Sequence, residues 1–232
     1  MSEQTAILSS FQDYTRSIRD KHFDLTVADP WYGIGMNRGG TGYMKNRHKK
    51  ETIEDSPPTA ADFKELKRIS KHLIVWGGNY FCGTLGNCRA PIIWDKGTGA
   101  NYFADGEMAW TSFRTGCLRI IHHQWCGCFK DSEQGEEAIH PCQKPVFLYR
   151  WIFSRFVKPG MIVFDPYMGS GSMRIAAAEM DIDYVGTERD SETFGKQEAR
   201  WRAEQPRIRD VRSQLSLYVW KPKQKKLIEG AV

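Results

Sequence analysis

A short acidic and aromatic segment near the start of the chain is the first candidate for chemistry: the tetrapeptide Asp29-Pro30-Trp31-Tyr32. The Asp29 carboxylate can accept a hydrogen bond from an amino group, and the Pro30 carbonyl, which an X-Pro-aromatic turn directs outward, can accept a second one. Trp31 or Tyr32 offers a flat surface on which a nucleobase can stack. Taken alone, the tetrapeptide is equally compatible with a plain turn that carries two buried aromatic residues.

A second candidate is a glycine-rich turn late in the chain, formed by Asp165, Pro166, Tyr167, Met168, Gly169, Ser170, Gly171 and Ser172. Gly169 and Gly171 allow a tight turn and a close approach of a ligand to backbone N–H groups, and the start of the following helix favours anionic or polar groups. Glu188 closes the next strand, where a carboxylate can hold a pair of ribose hydroxyls. The turn has neither the GxGxxG fingerprint, because position 174 is Arg, nor the GK[ST] of a P-loop. The combination favours a nucleoside-containing cofactor over a pair of packing glycines.

Both segments are predicted to follow buried strands of an α/β fold. Short apolar runs predict the strands and amphipathic stretches predict the helices between them, which indicates a sheet with helices on both faces. The predicted strands are residues 23–28, 72–76, 91–94, 107–113, 118–121, 161–165 and 183–188. The predicted helices cover about 60–71, 175–180 and 190–203, and a further helix follows Lys144-Pro145 and ends at Lys158-Pro159-Gly160. Because ligands bind at the carboxyl ends of strands in open α/β sheets, the two acidic-Pro-aromatic segments should face one crevice.

The composition is that of an ordinary globular protein. The chain has 232 residues, with 33 Lys and Arg against 28 Asp and Glu, a formal net charge of +5 and 41% hydrophobic residues. These values exclude a disordered chain, a fibrous repeat and a membrane bundle. The start of the chain lacks the basic and apolar regions of a signal peptide, so we expect a cytoplasmic protein. The basic excess permits a polyanionic partner.

The six cysteines do not match a common metal-binding pattern. A disulfide framework is not expected without a secretory signal, and no pair has the two-residue spacing of a zinc knuckle. A metal site is the alternative in one stretch, but free thiols and small buried side chains fit the spacing better, and we predict no metal. That stretch contains Cys117, His122, His123, Cys126, Cys128, His140 and Cys142.

Three motifs in this order resemble the amino-group DNA methyltransferases of the β class. DPWY comes first, HPCQKP follows much later and FDPYMGSGS comes last, which is a circularly permuted motif order. The segments VWGGNYF, IWDK and EMAWTSF look like those of phage and prophage adenine methyltransferases. The resemblance covers roughly residues 23–190. It implies an S-adenosylmethionine-dependent methyltransferase fold with a mostly parallel seven-stranded sheet, in a single domain of residues 1–232 without a separate recognition domain.

The resemblance also implies an activity: transfer of a methyl group from S-adenosylmethionine to the exocyclic amino group of a flipped-out adenine in double-stranded DNA. The tetrapeptide matches the catalytic (D/N/S)PP(Y/F/W) motif, in which Asp suggests adenine, and Trp31 stands where Pro is commoner. The glycine-rich turn matches the methionine-binding loop, with Tyr167 and Met173 in place of the more frequent Phe and Thr, and Glu188 matches the ribose-binding acid. The segment that closes over the methionine end of the cofactor is matched by His140, Gln143, Lys144 and Pro145.

Two basic regions are candidates for DNA contact. Residues 33–59 form a predicted flexible loop after the catalytic motif, and its position favours phosphate contacts by Arg38, Lys45, Arg47, Lys49 and Lys50 over a merely solvated loop. Residues 114–139 occupy the place of the family's target-recognition region, and base or phosphate contacts are expected from Arg114, Arg119, His122, His123, Gln124 and Lys130. A dimer contact explains that segment equally well, and the resemblance implies a homodimer. The basic tail, residues 221–232, is expected to be solvated or weakly phosphate-binding.

Two other functions compete with this interpretation. The first is the same chemistry on cytosine N4 in DNA or on adenine in RNA. The second is a catalytically silent DNA-binding or phage structural protein that retains the fold. A nucleotide-dependent dehydrogenase is excluded by the glycine spacing and leaves the DPWY tetrapeptide unexplained. The expected setting is a bacterial cytoplasm or a phage-infected host, with or without a restriction partner.

Overall fold

The computed structural model describes residues 2–34, 55–98, 104–126, 129–140 and 142–217. The strands are β1 (Gln4–Leu8), β2 (Phe23–Ala28), β3 (Ser70–Trp76), β4 (Ile92–Asp95), β5 (Gly106–Thr111), β6 (Arg119–His122), β7 (Trp125–Cys126), β8 (Phe129–Lys130), β9 (Ile162–Asp165) and β10 (Asp183–Glu188). The helices are α1 (Phe11–Thr15), α2 (Ala60–Ile69), α3 (Gly78–Leu85), α4 (Val146–Phe156), α5 (Ser172–Glu179) and α6 (Ser191–Leu217).

Eight of these strands form one sheet in the order β1-β10-β9-β2-β3-β5-β4-β6, and β7 and β8 form a separate two-stranded hairpin. All neighbouring pairs in the large sheet are parallel except the two that involve β5. The carboxyl ends of the seven other strands therefore lie at one edge of the sheet, where β5 begins. We call this edge the carboxyl edge, and it is where an open α/β sheet binds ligands.

The α/β fold class is confirmed, but the expected count of seven strands is wrong, because β1 adds an eighth. β1 pairs in parallel with β10, from Gln4 opposite Tyr184 to Leu8 opposite Glu188. Its residues are half-buried or exposed and show no clean alternation, so no local pattern marked it as a strand. It is stabilised instead by a partner 180 residues away in the sequence.

Both faces of the central sheet are buried under helices. Along β3 the side chains alternate: Ile74 and Trp76 pack into the core that contains α4, α5 and part of α6, while Leu73 and Val75 pack into the core that contains α1, α2 and α3. This burial on both faces explains why the central strands are continuous apolar runs in the sequence.

Two helices differ from their predicted form. Helix α3 begins directly after Gly77, where the sequence suggested only a stop, and it packs through Phe81 and Leu85, four residues apart on one face. Helix α6 continues well beyond residue 203, because Ile208 is still buried in the core, at 3% exposure. No helix in the described part of the chain is long and apolar enough to cross a membrane.

Candidate active site

The tetrapeptide follows β2 directly, so Asp29 and Tyr32 lie at the carboxyl edge, beside Gly77 at the end of β3 and Glu107 at the start of β5. The Tyr32 hydroxyl lies 3.0 Å from both Asp29 Oδ1 and Glu107 Oε2 and can donate to either. Its ring stacks on Tyr80, with 5.4 Å between the ring centroids. Trp31 or Tyr32 is expected to stack on a base. The Tyr32 hydroxyl lies between two carboxylates and can donate its single proton to one of them at a time.

Lys144, from the HPCQKP segment, reaches into the same site. Its side chain is 5% exposed, and Nζ lies 2.5 Å from Asp29 Oδ1, 3.3 Å from Glu107 Oε2 and 3.2 Å from the Tyr32 hydroxyl. Burial by itself lowers the pKa of Lys144, but Asp29 and Glu107 outweigh it and hold the pKa above its ordinary value. Lys144 is therefore a buried cation beside the predicted catalytic carboxylate, although the resemblance assigned it to the cofactor.

Glu107 and Lys96 belong to this site, and neither of them was predicted to have a role in it. Glu107 lies opposite Trp94 in the β4–β5 pairing, and its Oε1 is 2.5 Å from Lys96 Nζ. Burial opposes the ionisation of Glu107, but Lys144 and Lys96 prevail and lower its pKa to about 2. Both residues stand in segments that resemble the family, EMAWTSF and IWDK, and this was the only available signal.

Gly77 leaves room for the Tyr32 ring, and its replacement should be costly. Gly77 has φ +71°, and a Cβ at this position would lie 2.5 Å from Tyr32 Cε1. We expect Gly77→Ala to lower the free energy of unfolding by about 2 kcal/mol or more, from left-handed backbone strain and overpacking together. Denaturant unfolding measures this loss. The matched control is Gly83→Ala in α3, where a Cβ meets nothing within 4 Å; equal losses in the two variants would refute the explanation.

The glycine-rich loop is fastened to β10 by internal bonds. Asp165 is 1% exposed and accepts hydrogen bonds from the Tyr167 N–H, at 3.1 Å, and from the Tyr184 hydroxyl, at 3.0 Å. Burial raises the pKa of Asp165 to about 8. The Pro166 carbonyl accepts a hydrogen bond from the Thr187 hydroxyl, and the Met168 N–H donates to the Thr187 carbonyl. Asp165 thus fixes the conformation of the loop through hydrogen bonds to the Tyr167 N–H and the Tyr184 hydroxyl.

Two glycines with positive φ turn this loop into α5. Gly169 has φ +49°, and Gly171, the residue before α5, has φ +74°. The Gly169 N–H donates to Glu188 Oε2 at 3.0 Å, and the Asp190 N–H donates to Glu188 Oε1 at 2.9 Å. Glu188 therefore holds the loop through one oxygen and the start of the next loop through the other. Burial raises the pKa of this carboxyl.

His140 connects the catalytic motif with the glycine loop. Its ring centroid is 5.5 Å from that of Trp31, and its ring atoms lie 3.8 Å from where a Gly169 Cβ would stand. Gln143 is 7% exposed, and its Oε1 accepts a hydrogen bond from the Ile139 N–H. Pro145 caps α4. The structure therefore brings the HPCQKP segment against both motifs, with His140 between them and Gln143 holding its own backbone.

Arg200 in α6 is a further residue that the sequence did not reveal. Its guanidinium donates to the Ser170 carbonyl at 3.2 Å and to Ser172 Oγ at 2.8 Å, and it pairs with Glu133 Oε1 at 2.6 Å. Glu133 Oε2 accepts from the Val146 N–H. Both partners of this ion pair are almost completely buried, at 8% and 5% exposure. The pair joins the glycine loop to the 114–139 segment and to the start of α4.

The structure does not bring the predicted DNA-contact residues together. Arg38, Lys45, Arg47, Lys49, Lys50 and the tail 221–232 lie outside the described residues. Arg114 follows β5 and Arg119 begins β6, so both stand at the edge opposite Asp29. His123 is 6% exposed, because its ring stacks on Phe147 at 4.2 Å. His122 alone of these four is both exposed and at the carboxyl edge, where Nδ1 lies 2.9 Å from Asp95 Oδ2.

The metal alternative has no geometric counterpart in the described part of the chain, where no three His, Cys, Asp or Glu side chains are grouped as ligands. Cys82, Cys88, Cys117 and Cys142 are free thiols. Cys142 lies near the charged residues of the site, and burial raises the pKa of its thiol to about 12. It is therefore not a thiolate nucleophile at neutral pH.

The sheet order and the two motifs at its carboxyl edge define the fold of S-adenosylmethionine-dependent DNA methyltransferases. The cytosine-N4-specific PvuII DNA methyltransferase superposes with a TM-score of 0.59 at 11% identity, over 92% of this chain and 93% of that one. TTHA0409 from Thermus thermophilus, in complex with S-adenosyl-L-methionine, superposes with a TM-score of 0.57 at 18% identity, over 87% of this chain and 95% of that one.

The family follows from the sequence comparisons. A family model described as DNA methylase, N6_N4_Mtase, matches residues 43–196, more than half of the chain. The type II methyltransferase M.HinfI of Haemophilus influenzae is 34% identical over 171 residues, which cover 67% of this chain and 43% of that protein. The chain belongs to this family of amino-group DNA methylases, as its motifs predicted. It spans less than half the length of M.HinfI.

Proposed function

We propose that the chain transfers a methyl group from S-adenosylmethionine to the N6 amino group of adenine in double-stranded DNA. The observation that carries the proposal is the meeting of Asp29 with the Gly169–Gly171 loop and Glu188 at one edge of the sheet. Family membership supports the reaction class. The Asp at the head of the tetrapeptide supports adenine over cytosine.

The residues around the glycine loop fit this cofactor. Gly169 and Gly171 leave backbone without side chains at the start of α5, which suits a polar ligand group. Glu188 accepts hydrogen bonds from the backbone N–H groups of Gly169, Asp190 and Arg189, and a carboxylate has about four lone-pair sites, so it can still accept from a ribose hydroxyl. His140 lies beside the loop and would contact the methionine end. When bound, S-adenosylmethionine supplies an electrophilic methyl carbon.

The chain's own contribution is to hold the target amino group. The adenine amino nitrogen is a poor nucleophile because its lone pair is delocalised into the ring. Hydrogen bonds from its protons to Asp29 and to the Pro30 carbonyl favour a tetrahedral nitrogen whose lone pair is available. Correct positioning of this kind contributes up to about 7–11 kcal/mol in intramolecular reactions. The base must leave the duplex to reach Asp29, and stacking on the aromatic residues of the site offsets part of that cost.

Analysis of the modified nucleoside tests the proposal against its alternatives. The purified chain is incubated with tritiated S-adenosylmethionine and with DNA or RNA, and the products are digested to nucleosides. We expect N6-methyl-2′-deoxyadenosine from DNA. N4-methyl-2′-deoxycytidine, the product of a cytosine-N4-specific enzyme such as PvuII methyltransferase, would replace the adenine assignment. Label in RNA alone would show that the substrate is RNA and not DNA. A chain that binds DNA but not the cofactor would support the catalytically silent DNA-binding protein.

The basic loop after the catalytic motif is proposed to contact DNA phosphates. Because each phosphate contact releases a counterion, replacing Arg47, Lys49 and Lys50 by Gln should weaken DNA binding and flatten its dependence on salt. Fluorescence anisotropy across a salt series measures both effects. The control variant replaces Arg114 and Arg119, which lie at the far edge of the sheet. We expect it to bind DNA with nearly unchanged affinity. Equal affinity of the loop variant and the wild type at low salt would remove this role.

A further inference from the structure

Four ionisable side chains follow one another with alternating charge across the site. Lys144 lies between the carboxylates of Asp29 and Glu107, and Lys96 lies on the other oxygen of Glu107. All four are at most 19% exposed, so solvent does little to screen them. A buried cation placed between two carboxylates at these distances is held by both of them.

The contacts of Asp29 are unevenly divided between its two oxygens. Lys144 Nζ and the Tyr32 hydroxyl both bond to Oδ1. Within the residues that the structure describes, no hydrogen bond reaches Oδ2. One oxygen is thus anchored by two donors, and the second remains to accept a hydrogen bond from an incoming amino group.

We infer that Lys144 and Glu107 are positioning residues for the proposed transfer: Lys144 anchors Asp29 through Oδ1, and Glu107 holds Lys144 in place. The inference rests on the proposed function and gives Lys144 a different task from the cofactor contact that the resemblance implied. Lys96 completes the arrangement by balancing the second carboxylate. The Tyr32 hydroxyl lies 3.0 Å from an oxygen of each carboxylate and can donate its proton to one of them.

The two positioning residues act on Asp29 with opposite signs. Burial raises the pKa of Asp29, Lys144 opposes this effect, and Glu107 adds to it. Loss of Lys144 must therefore raise the pKa of Asp29 further, and loss of the Glu107 charge must lower it. The other titratable groups that act on Asp29 are retained in both variants; they are Tyr32, Cys142, Tyr149 and Asp165.

The test compares Lys144→Met and Glu107→Gln with the wild type. We expect the acidic limb of the pH–rate profile, measured in single turnovers with saturating cofactor and DNA, to move to higher pH by about one unit or more in Lys144→Met. In Glu107→Gln it should move to lower pH. Transfer at neutral pH should fall about 100-fold in Lys144→Met and less in Glu107→Gln. Titration of the ¹³C-labelled Asp29 carboxyl by NMR should show the same two shifts without DNA.

Calorimetry and a matched control separate this role from the others. Cofactor affinity should stay within about threefold in both variants, and Lys71→Met, which breaks the Lys71–Asp24 pair at the opposite edge, should change neither rate nor profile. Cofactor affinity lost about tenfold in Lys144→Met with an unchanged saturated rate would assign Lys144 to the cofactor and overturn the inference. Equal or absent shifts in the two variants would overturn it as well.

Two further outcomes are kept apart by the design. If Lys144→Met does not fold, the inference is tested by Glu107→Gln alone, because this variant keeps the side-chain shape. The direction in which the acidic limb of its pH–rate profile moves then decides whether the inference holds. A wild type that methylates no DNA would overturn the proposed function. In that case the NMR titration still reports whether Lys144 and Glu107 act on Asp29 with opposite signs, so the two failures are distinguishable.

Discussion

Replacement of Asp29 by Ala is expected to abolish methyl transfer, a loss of at least about 1,000-fold. The Asp29 carboxylate lies at the carboxyl edge with 15% of its side chain exposed, and in the proposed reaction it accepts a hydrogen bond from the target amino group. The bonds that shape the glycine loop are made by Asp165, Thr187 and Glu188 instead. Cofactor affinity should therefore remain within about threefold of the wild type.

The Asp29→Ala variant should also fold, which makes its inactivity interpretable. Lys144 keeps Glu107 as a partner, so the buried cation is not left alone. Single-turnover transfer of tritiated methyl groups to DNA measures the rate, and calorimetry measures cofactor binding. Asp24→Asn is the control, because it alters an aspartate–lysine pair at the opposite end of the same strand. Wild-type turnover by Asp29→Ala would show that Asp29 has no role in the reaction.

The fold was predictable wherever a single segment carried its own signal. β2, β3, β9 and β10 are apolar runs because helices cover both faces of the sheet, and they were placed within about two residues of their observed bounds. The antiparallel pairing of β5, by contrast, has no local signal, since it depends on the path between strands. This pairing matters for function, because it brings Glu107 to the carboxyl edge and takes Arg114 to the other one.

The motifs of the site were predictable from the sequence, but the contacts between its charged side chains were not. DPWY and the glycine loop are continuous in sequence, and each carries its chemistry in adjacent residues. Lys144 and Asp29 are 115 residues apart. Nothing in the local sequence around Lys144 predicts that this lysine is buried against a carboxylate. Glu107, Lys96 and Arg200 are hidden for the same reason: a charge becomes functional in the interior only through a partner that the fold supplies.

Glu188 combines two tasks, so its loss should be the largest single effect on cofactor binding. In Glu188→Ala, the Gly169 and Asp190 N–H groups lose their acceptors, and the proposed ribose contact disappears at the same time. Hydrogen bonds to a charged group contribute about 1.5–3 kcal/mol each. A combined loss of about 3 kcal/mol corresponds to roughly 100-fold weaker binding of S-adenosylmethionine. The saturated transfer rate should change much less, because Asp29 and Lys144 are untouched.

The pH dependence of cofactor binding gives the second measurement on Glu188. Burial raises the pKa of its carboxyl, so protonation on acidification removes an acceptor for ribose hydroxyls at a higher pH than for an exposed Glu. Affinity measured by calorimetry should therefore fall as the pH decreases through that raised pKa. The isosteric Glu188→Gln should bind weakly at every pH, without this dependence. If the wild-type pH dependence persists in Glu188→Gln, another group must be responsible for it. Asp165, which lies beneath the same loop, is then the first candidate.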